Sequence, residues 1–280
     1  MSESTDNMAR QASSLMIDRA RRLVSRLIEL RGHDQPPFPP NEYFNLVNIK
    51  GIQKEELGEV GAVLLRLHDG LIIKVNQSEP KVRQNFSCAH EIAHVLFNEL
   101  ISEHYTEKIE YRKFDSNGRD KIQARAKERL CNIAATELLM PELIFRRYLS
   151  YKGLSVGSIE PMASLFEVSI QAAAIRIAEV SLEPCIMLHW QMRQKGRVRR
   201  LALDWRVGPG TKTRARNNFA PVYDDCPSGV YKAFQSETTA KSYKLFRIDK
   251  DIKRLPLESK GFGVEDYRYV ISFAYPSRTN

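Results

Sequence analysis

The stretch Phe86-Ser-Cys-Ala-His90-Glu91-Ile-Ala-His94-Val-Leu-Phe97 organises this chain. Its apolar residues, Phe86, Ala89, Ile92, Ala93, Leu96 and Phe97, recur at helical spacing around two histidines. Residues four apart share one face of a helix, so His90 and His94 can reach a single metal ion together. Glu91 stands beside the first of them, where a carboxylate can polarise a water held by that metal. This is the pattern of a zinc hydrolase. The pentapeptide alone is short enough to arise by chance, and an amphipathic helix with two core histidines would also produce it. The apolar frame around both histidines favours a buried, rigid metal site.

A catalytic zinc needs a third protein ligand and an open position. Downstream candidates are Glu99, Glu103, His104, Glu107, Glu110, Asp115, Asp120, Glu128 and Glu137. The polar segment from 98 to 120 reads as a loop, and Gln123 to Tyr148 as a helix whose apolar positions end near Met140-Pro141. On that helix Glu128 and Asn132 are four apart and adjacent on one face, a spacing that suits a ligand and an outer partner for a histidine ring. Glu137 is rotated from Glu128 by about 900° and points to the opposite side. The geometry favours Glu128, although composition alone does not rank it above the other carboxylates. Cys88 and Cys131 flank the site, and each reads as a small buried hydrophobe rather than a thiol ligand. His104, Tyr105 and Tyr111 in the loop are candidates for a second oxyanion donor.

The rest of the 280 residues sets the context. Length suggests two or three units, and 42% hydrophobic residues are enough to build cores. The four cysteines form no CxxC pair and no disulfide framework, which points to the cytoplasm. The polar N-terminus has no secretory pattern, and no apolar run is long enough to span a membrane. A net charge of +9 favours a polyanionic or acidic partner, but a solvated surface explains it as well.

Residues 8 to 31 read as a helix with an apolar stripe among arginines, ended by the proline-rich stretch at 36–40. A short helix is expected at 42–47. Strands are expected at 61–68 and 71–76, joined by Asp69-Gly70 as a hairpin. The edge of such a sheet could pair with an extended substrate, or simply cover the metal helix. Residues 158–180 read as two short helices joined at Glu167-Val168-Ser169, similar to a helix-turn-helix. The second offers only Gln171, Arg176 and Glu179 as long polar residues, so packing support is preferred to DNA reading. After Pro184, alternating runs at 185–193, 198–207, 241–248 and 268–275 read as strands of a mixed sheet.

Two stretches carry a family resemblance. Arg83-x-x-Phe86-Ser-x-Ala89-His90-Glu91-x-x-His94 and Glu128-x-x-Cys131-Asn132-x-x-Ala135-x-x-Leu138-Leu139-Met140-Pro141 resemble the ImmA/IrrE metallopeptidases. The chain departs from that pattern at Ser87 for threonine, Cys131 for alanine and Ala134 for phenylalanine. The resemblance covers roughly residues 35 to 180. It implies His90, His94 and Glu128 as ligands of Zn²⁺ (or Mn²⁺), Glu91 as general base and acid, and Asn132 behind the ligands. It also implies cleavage of a helix-turn-helix repressor of the Xre type, relieving repression of stress-response or mobile-element genes. The alternative is a metal-stabilised, non-proteolytic regulator that binds the repressor or DNA.

The expected fold is α+β: a helical, thermolysin-like peptidase domain with a small antiparallel sheet, a helix-turn-helix-like segment, and a C-terminal mixed β-rich domain. The expected divisions are an N-terminal helix at 1–34, the peptidase domain at 35–150, the helical segment at 151–183 and a β-rich tail at 184–280, for which the family resemblance implies a likeness to a GAF sensor domain.

Overall fold

The computed structural model describes residues 2–68, 70–104, 118–195, 198–208, 219–221, 226–236, 238–248 and 251–277. The fold is α+β and divides into two compact units. One comprises residues 1–144 and 165–169, the other 145–164 and 170–280. No helix among the described residues is long and apolar enough to cross a membrane.

The N-terminal unit begins with α1 (Ser2–Arg31), longer than the expected 8–31. Met16, Ala20, Leu23, Val24 and Leu27 form its buried stripe, at helical spacing. Gly32, at φ +70°, ends the helix, its N–H donating to the Ile28 carbonyl at 2.9 Å. A 3-10 turn (Pro40–Leu46) follows. It buries Tyr43, whose hydroxyl donates to the Leu138 carbonyl at 2.9 Å and so satisfies a group at the end of the helix carrying Glu128.

The small sheet differs from the expected antiparallel pair. It has three strands, β1 (Ile49–Glu55), β2 (Ala62–Leu67) and β3 (Gly70–Asn76), in the order β1-β3-β2. β2 and β3 form the expected antiparallel hairpin, while β1 runs parallel to β3 on its other side. Asp69 of the hairpin turn lies outside the described residues. β1 escapes a sequence reading because only Ile49 is buried and the rest of Ile49-Lys-Gly-Ile-Gln-Lys-Glu55 faces solvent. The connection from β1 to β2 is held by Asn76 at the end of β3. Its side-chain amide donates to the carbonyls of Gly58 (2.8 Å) and Val60 (3.2 Å), and its Oδ1 accepts from the Ser78 N–H at 3.1 Å. Asn76→Ala is therefore expected to cost about 1–3 kcal/mol by removing all three bonds of a buried side chain. A lowered unfolding midpoint in a denaturant titration checks it, and an unchanged midpoint rejects the clasp.

Three helices complete the unit's framework: α2 (Lys81–His104), α3 (Gly118–Leu139) and the start of α4 (Glu142–Lys152). The expected single helix from 123 to 148 is two helices, broken at Met140-Pro141, because proline cannot continue a helix. Ala89 and Ala93 on α2 and Ala134 and Ala135 on α3 are all buried. Small side chains let two helices approach closely. Glu137 is buried on the α1 side, where its Oε1 accepts from Arg21 Nε at 3.2 Å and from the Glu142 N–H at 3.0 Å.

The second unit contains most of the helix-turn-helix-like segment and a six-stranded sheet. α5 (Ile159–Leu165) and α6 (Ile170–Val180) match the expected pair of helices. The strands are β4 (Ile186–Lys195), β5 (Val198–Val207), β6 (Phe219–Pro221), β7 (Ala240–Ile248), β8 (Asp251–Phe262) and β9 (Tyr269–Ala274), ordered β5-β4-β9-β8-β7-β6. Every neighbouring pair is antiparallel, which corrects the expected mixed sheet. No connection among these strands is a parallel crossover, since α7 (Ser228–Gln235) joins neighbours that run antiparallel. β8 went unread because of its charges and Pro256. That proline sits where pairing with β9 stops, at Leu257↔Ala274. Trp190, Phe246, Leu255 and Val270 pack with Val230 and Ala233 of α7 in the core. Gly261 permits this approach, because a Cβ there would lie 2.3 Å from the Ala233 carbonyl oxygen.

Candidate metal centre

α2 carries His90, Glu91 and His94 beside the edge strand β2, and α3 faces them with Glu128. One ligand atom from each of His90, His94 and Glu128 lies within 4.8 Å of the others, the single such group of metal-binding side chains among the described residues. His90 Nε2 is 3.0 Å from Glu128 Oε2, and His94 Nε2 is 3.5 Å from Oε1, so one carboxylate spans both rings. The two imidazoles meet edge to face, with centroids 4.8 Å apart. The histidine side chains are 14% and 15% exposed and Glu128 is 54% exposed, which leaves the carboxylate side of the cluster open to solvent.

The far sides of both rings are engaged by α3. His90 Nδ1 is 2.9 Å from Asn132 Oδ1. His94 Nδ1 is 3.4 Å from Cys131 Sγ. Burial, then the nearby His90 and Lys127, hold His94 down to a pKa of about 4, against the opposing charge of Glu128. It is therefore neutral at physiological pH, the form that ligates metals. Two imidazoles and a carboxylate, each carried on a helix, fit a divalent metal with a nitrogen and oxygen preference.

Glu91 lies apart from that ligand set. Burial, reinforced by the charge of Glu128, pushes its pKa up to about 7, while the backbone N–H of Leu64 and the charge of Lys127 oppose the rise. Leu64 belongs to β2, the edge strand of the small sheet. Its N–H donates to Glu91, so it points away from β3, and strand alternation sends the backbone groups of Ala62 and Arg66 the same way.

The structure brings together every residue singled out around the motif: His90, Glu91, His94, Glu128 and Asn132. Glu137 points elsewhere. The side chains of Glu99, Glu103, His104, Glu107, Glu110, Asp115 and Asp120 lie outside the described residues, as do Tyr105 and Tyr111. Two contacts were missed by the sequence reading, the Leu64 amide on Glu91 and the Cys131 thiol on His94. The second had a signal, since Cys131 and Asn132 stand three and four residues after Glu128 and share its helical face.

On α6, the side chains considered for reading bases are otherwise occupied. Arg176 is 1% exposed and lies 3.8 Å from Glu179. Gln171 Nε2 is 3.3 Å from His189 Nε2. His189 is stacked between Trp205 and Tyr269, at centroid distances of 4.7 and 5.0 Å.

A histidine pair on one helix, answered by a carboxylate on a second, defines a metallopeptidase-type centre. Residues 51–178 match the peptidase M78 family model, described as an IrrE N-terminal-like domain. Through this domain the chain is similar to the ImmA/IrrE metallopeptidases, the match covering less than half of its 280 residues. Two curated relatives are radiation response metalloproteases IrrE. The one from Deinococcus radiodurans is 26% identical over 199 residues, covering 65% of this chain and 57% of that protein. The one from Deinococcus deserti is 25% identical over 215 residues, covering 74% of this chain and 72% of that protein. The match thus spans little more than half the length of the first relative. A solved structure described as a Mycobacterium tuberculosis transcriptional regulator shares the fold, with a TM-score of 0.57 at 13% identity over 95% of this chain and 80% of that one.

Proposed function

We propose that this protein is a cytoplasmic, zinc-dependent endopeptidase with Glu91 as its general base and acid, and that it cleaves a specific helix-turn-helix repressor of the Xre type. The observation that carries the catalytic part is Glu91 itself. It is a half-buried carboxylate beside the ligand cluster but outside it, tied to the edge strand of a sheet. A purely structural metal site has no use for such a group.

His90, His94 and Glu128 hold the metal, in a thermolysin-like set of two imidazoles and one glutamate. Zinc bound there, or manganese on the same ligands, supplies Lewis acidity that activates water and polarises the scissile carbonyl. The outward-facing backbone groups of Ala62 and Arg66 pair with an extended substrate and align its carbonyl at the cluster. A Glu91 carboxylate oxygen takes the proton from the attacking water and returns it to the leaving nitrogen. Asn132 holds the His90 ring in register from behind.

The choice of a repressor as substrate rests on the family resemblance, as does a role in relieving repression of stress-response or mobile-element genes. We read residues 1–34 as a packing helix, 35–150 as the peptidase domain, 151–183 as helical support and 184–280 as a sensor domain of the GAF kind. The six-stranded antiparallel sheet backed by α7 supports the last reading. The occupied polar side chains of α6 favour protein cleavage over base reading as the mode of regulation.

The direct test incubates the purified protein with a helix-turn-helix repressor encoded beside it, in zinc, manganese or a chelator. Two discrete fragments in metal and intact repressor in chelator are expected. Stable binding with no cleavage in either metal overturns the peptidase reading in favour of a sequestering regulator.

A further inference from the structure

The two motif histidines present the same ring atom to Glu128 and differ in what stands behind them. His90 has an amide oxygen, Asn132 Oδ1, at 2.9 Å from its Nδ1. His94 has a sulfur, Cys131 Sγ, at 3.4 Å from its Nδ1. Both Nε2 atoms face the Glu128 carboxylate. An imidazole that ligates through Nε2 carries its hydrogen on Nδ1, and that N–H requires an acceptor to fix the tautomer and the ring plane. For His90 the acceptor is the expected amide. For His94 the described contacts place the thiol sulfur there, a weak acceptor with free lone pairs.

Two other roles for Cys131 fit less well. As a ligand it would have to join the cluster, yet the atoms that lie within 4.8 Å of one another come from His90, His94 and Glu128 only. As a plain packing residue it would have only apolar neighbours, yet its sulfur lies 3.4 Å from the His94 Nδ1.

We propose that Cys131 is a positioning residue for the metal centre: its sulfur accepts the His94 Nδ1–H and holds that ring in the ligating tautomer. One turn of α3 then supplies the third ligand and both outer acceptors, as Glu128, Cys131 and Asn132 at i, i+3 and i+4. The assignment rests on reading His90, His94 and Glu128 as ligands.

Zinc affinity tests it without any substrate. Dissociation constants are measured by competition with a chromophoric chelator for the wild type, Cys131→Ala, Cys131→Ser, Asn132→Ala and the Cys131→Ala/Asn132→Ala double variant. Thermal melting of each metal-free protein is followed in parallel. Cys131→Ala is expected to weaken zinc binding by about 10–100-fold, the usual cost of losing an outer partner, with metal-free melting close to wild type. Cys131→Ser restores most of the loss, because a hydroxyl also accepts. Asn132→Ala shows a similar loss, and the two losses multiply in the double variant because each residue braces a different ring. Wild-type affinity in Cys131→Ala overturns the assignment while leaving the ligand reading intact. Equal impairment of Cys131→Ala and Cys131→Ser in melting and affinity alike also overturns it, in favour of packing. A wild-type protein that takes up no zinc overturns the ligand reading, and the Cys131 assignment with it.

Discussion

Glu91→Gln is expected to keep its zinc and lose cleavage of the repressor by at least about 10²–10⁴-fold, the usual worth of a positioned proton-transfer group. Glutamine has nearly the shape of glutamate and retains an oxygen that can accept the Leu64 N–H. It has no oxygen that can take up and return a proton. The fold is not at risk either, since the change replaces a carboxylate that burial and Glu128 both disfavour in its charged form. Three measurements on one preparation separate the possibilities: zinc content, melting temperature and rate of appearance of repressor fragments. Unchanged zinc and melting with no fragments is the expected set. Cleavage at the wild-type rate would remove Glu91 from the mechanism. Loss of zinc would instead place its carboxylate among the ligands.

The parts of the centre that could be read from sequence are those governed by helical spacing. His90 to His94 and Glu128 to Asn132 are four-residue intervals on regular helices, and the structure sets these two faces against each other. Rejection of Glu137 followed from the same rotation, and its burial against Arg21 bears that out. What stayed hidden depends on tertiary placement. The Leu64 amide reaches Glu91 only because β2 is the edge strand, and β2 is at the edge because β1 pairs with the other side of β3. β1 is polar and exposed, so it gave no hydrophobic alternation to read. β8 was hidden by Pro256 and four exposed residues at its start, although its buried half lines the core of the second unit. The polar contact of Cys131 stayed hidden for a different reason. Its burial fits a small hydrophobe, and only the position of the His94 ring shows that its sulfur has a polar partner.

The second large effect contrasts two glutamates on α3. Glu128→Ala is expected to abolish stoichiometric zinc binding, with a loss beyond the roughly 10–100-fold that removal of an outer partner costs. Its carboxylate faces both Nε2 atoms. Being 54% exposed, it contributes little to the packed core, so the metal-free variant should melt close to wild type. Glu137→Ala is expected to do the reverse. That side chain is buried, and its removal takes one acceptor from Arg21, which keeps its bond to Glu142, and one from the Glu142 N–H, a cost of about 1–3 kcal/mol. It touches neither histidine, so zinc affinity measured well below the melting transition should be unchanged. Chelator competition and thermal melting on both variants therefore give opposite patterns from one helix. Full zinc occupancy in Glu128→Ala would move the third ligand elsewhere. Loss of zinc in Glu137→Ala at temperatures where that variant is folded would mean that α1 packing, and not the α3 face alone, sets the position of Glu128.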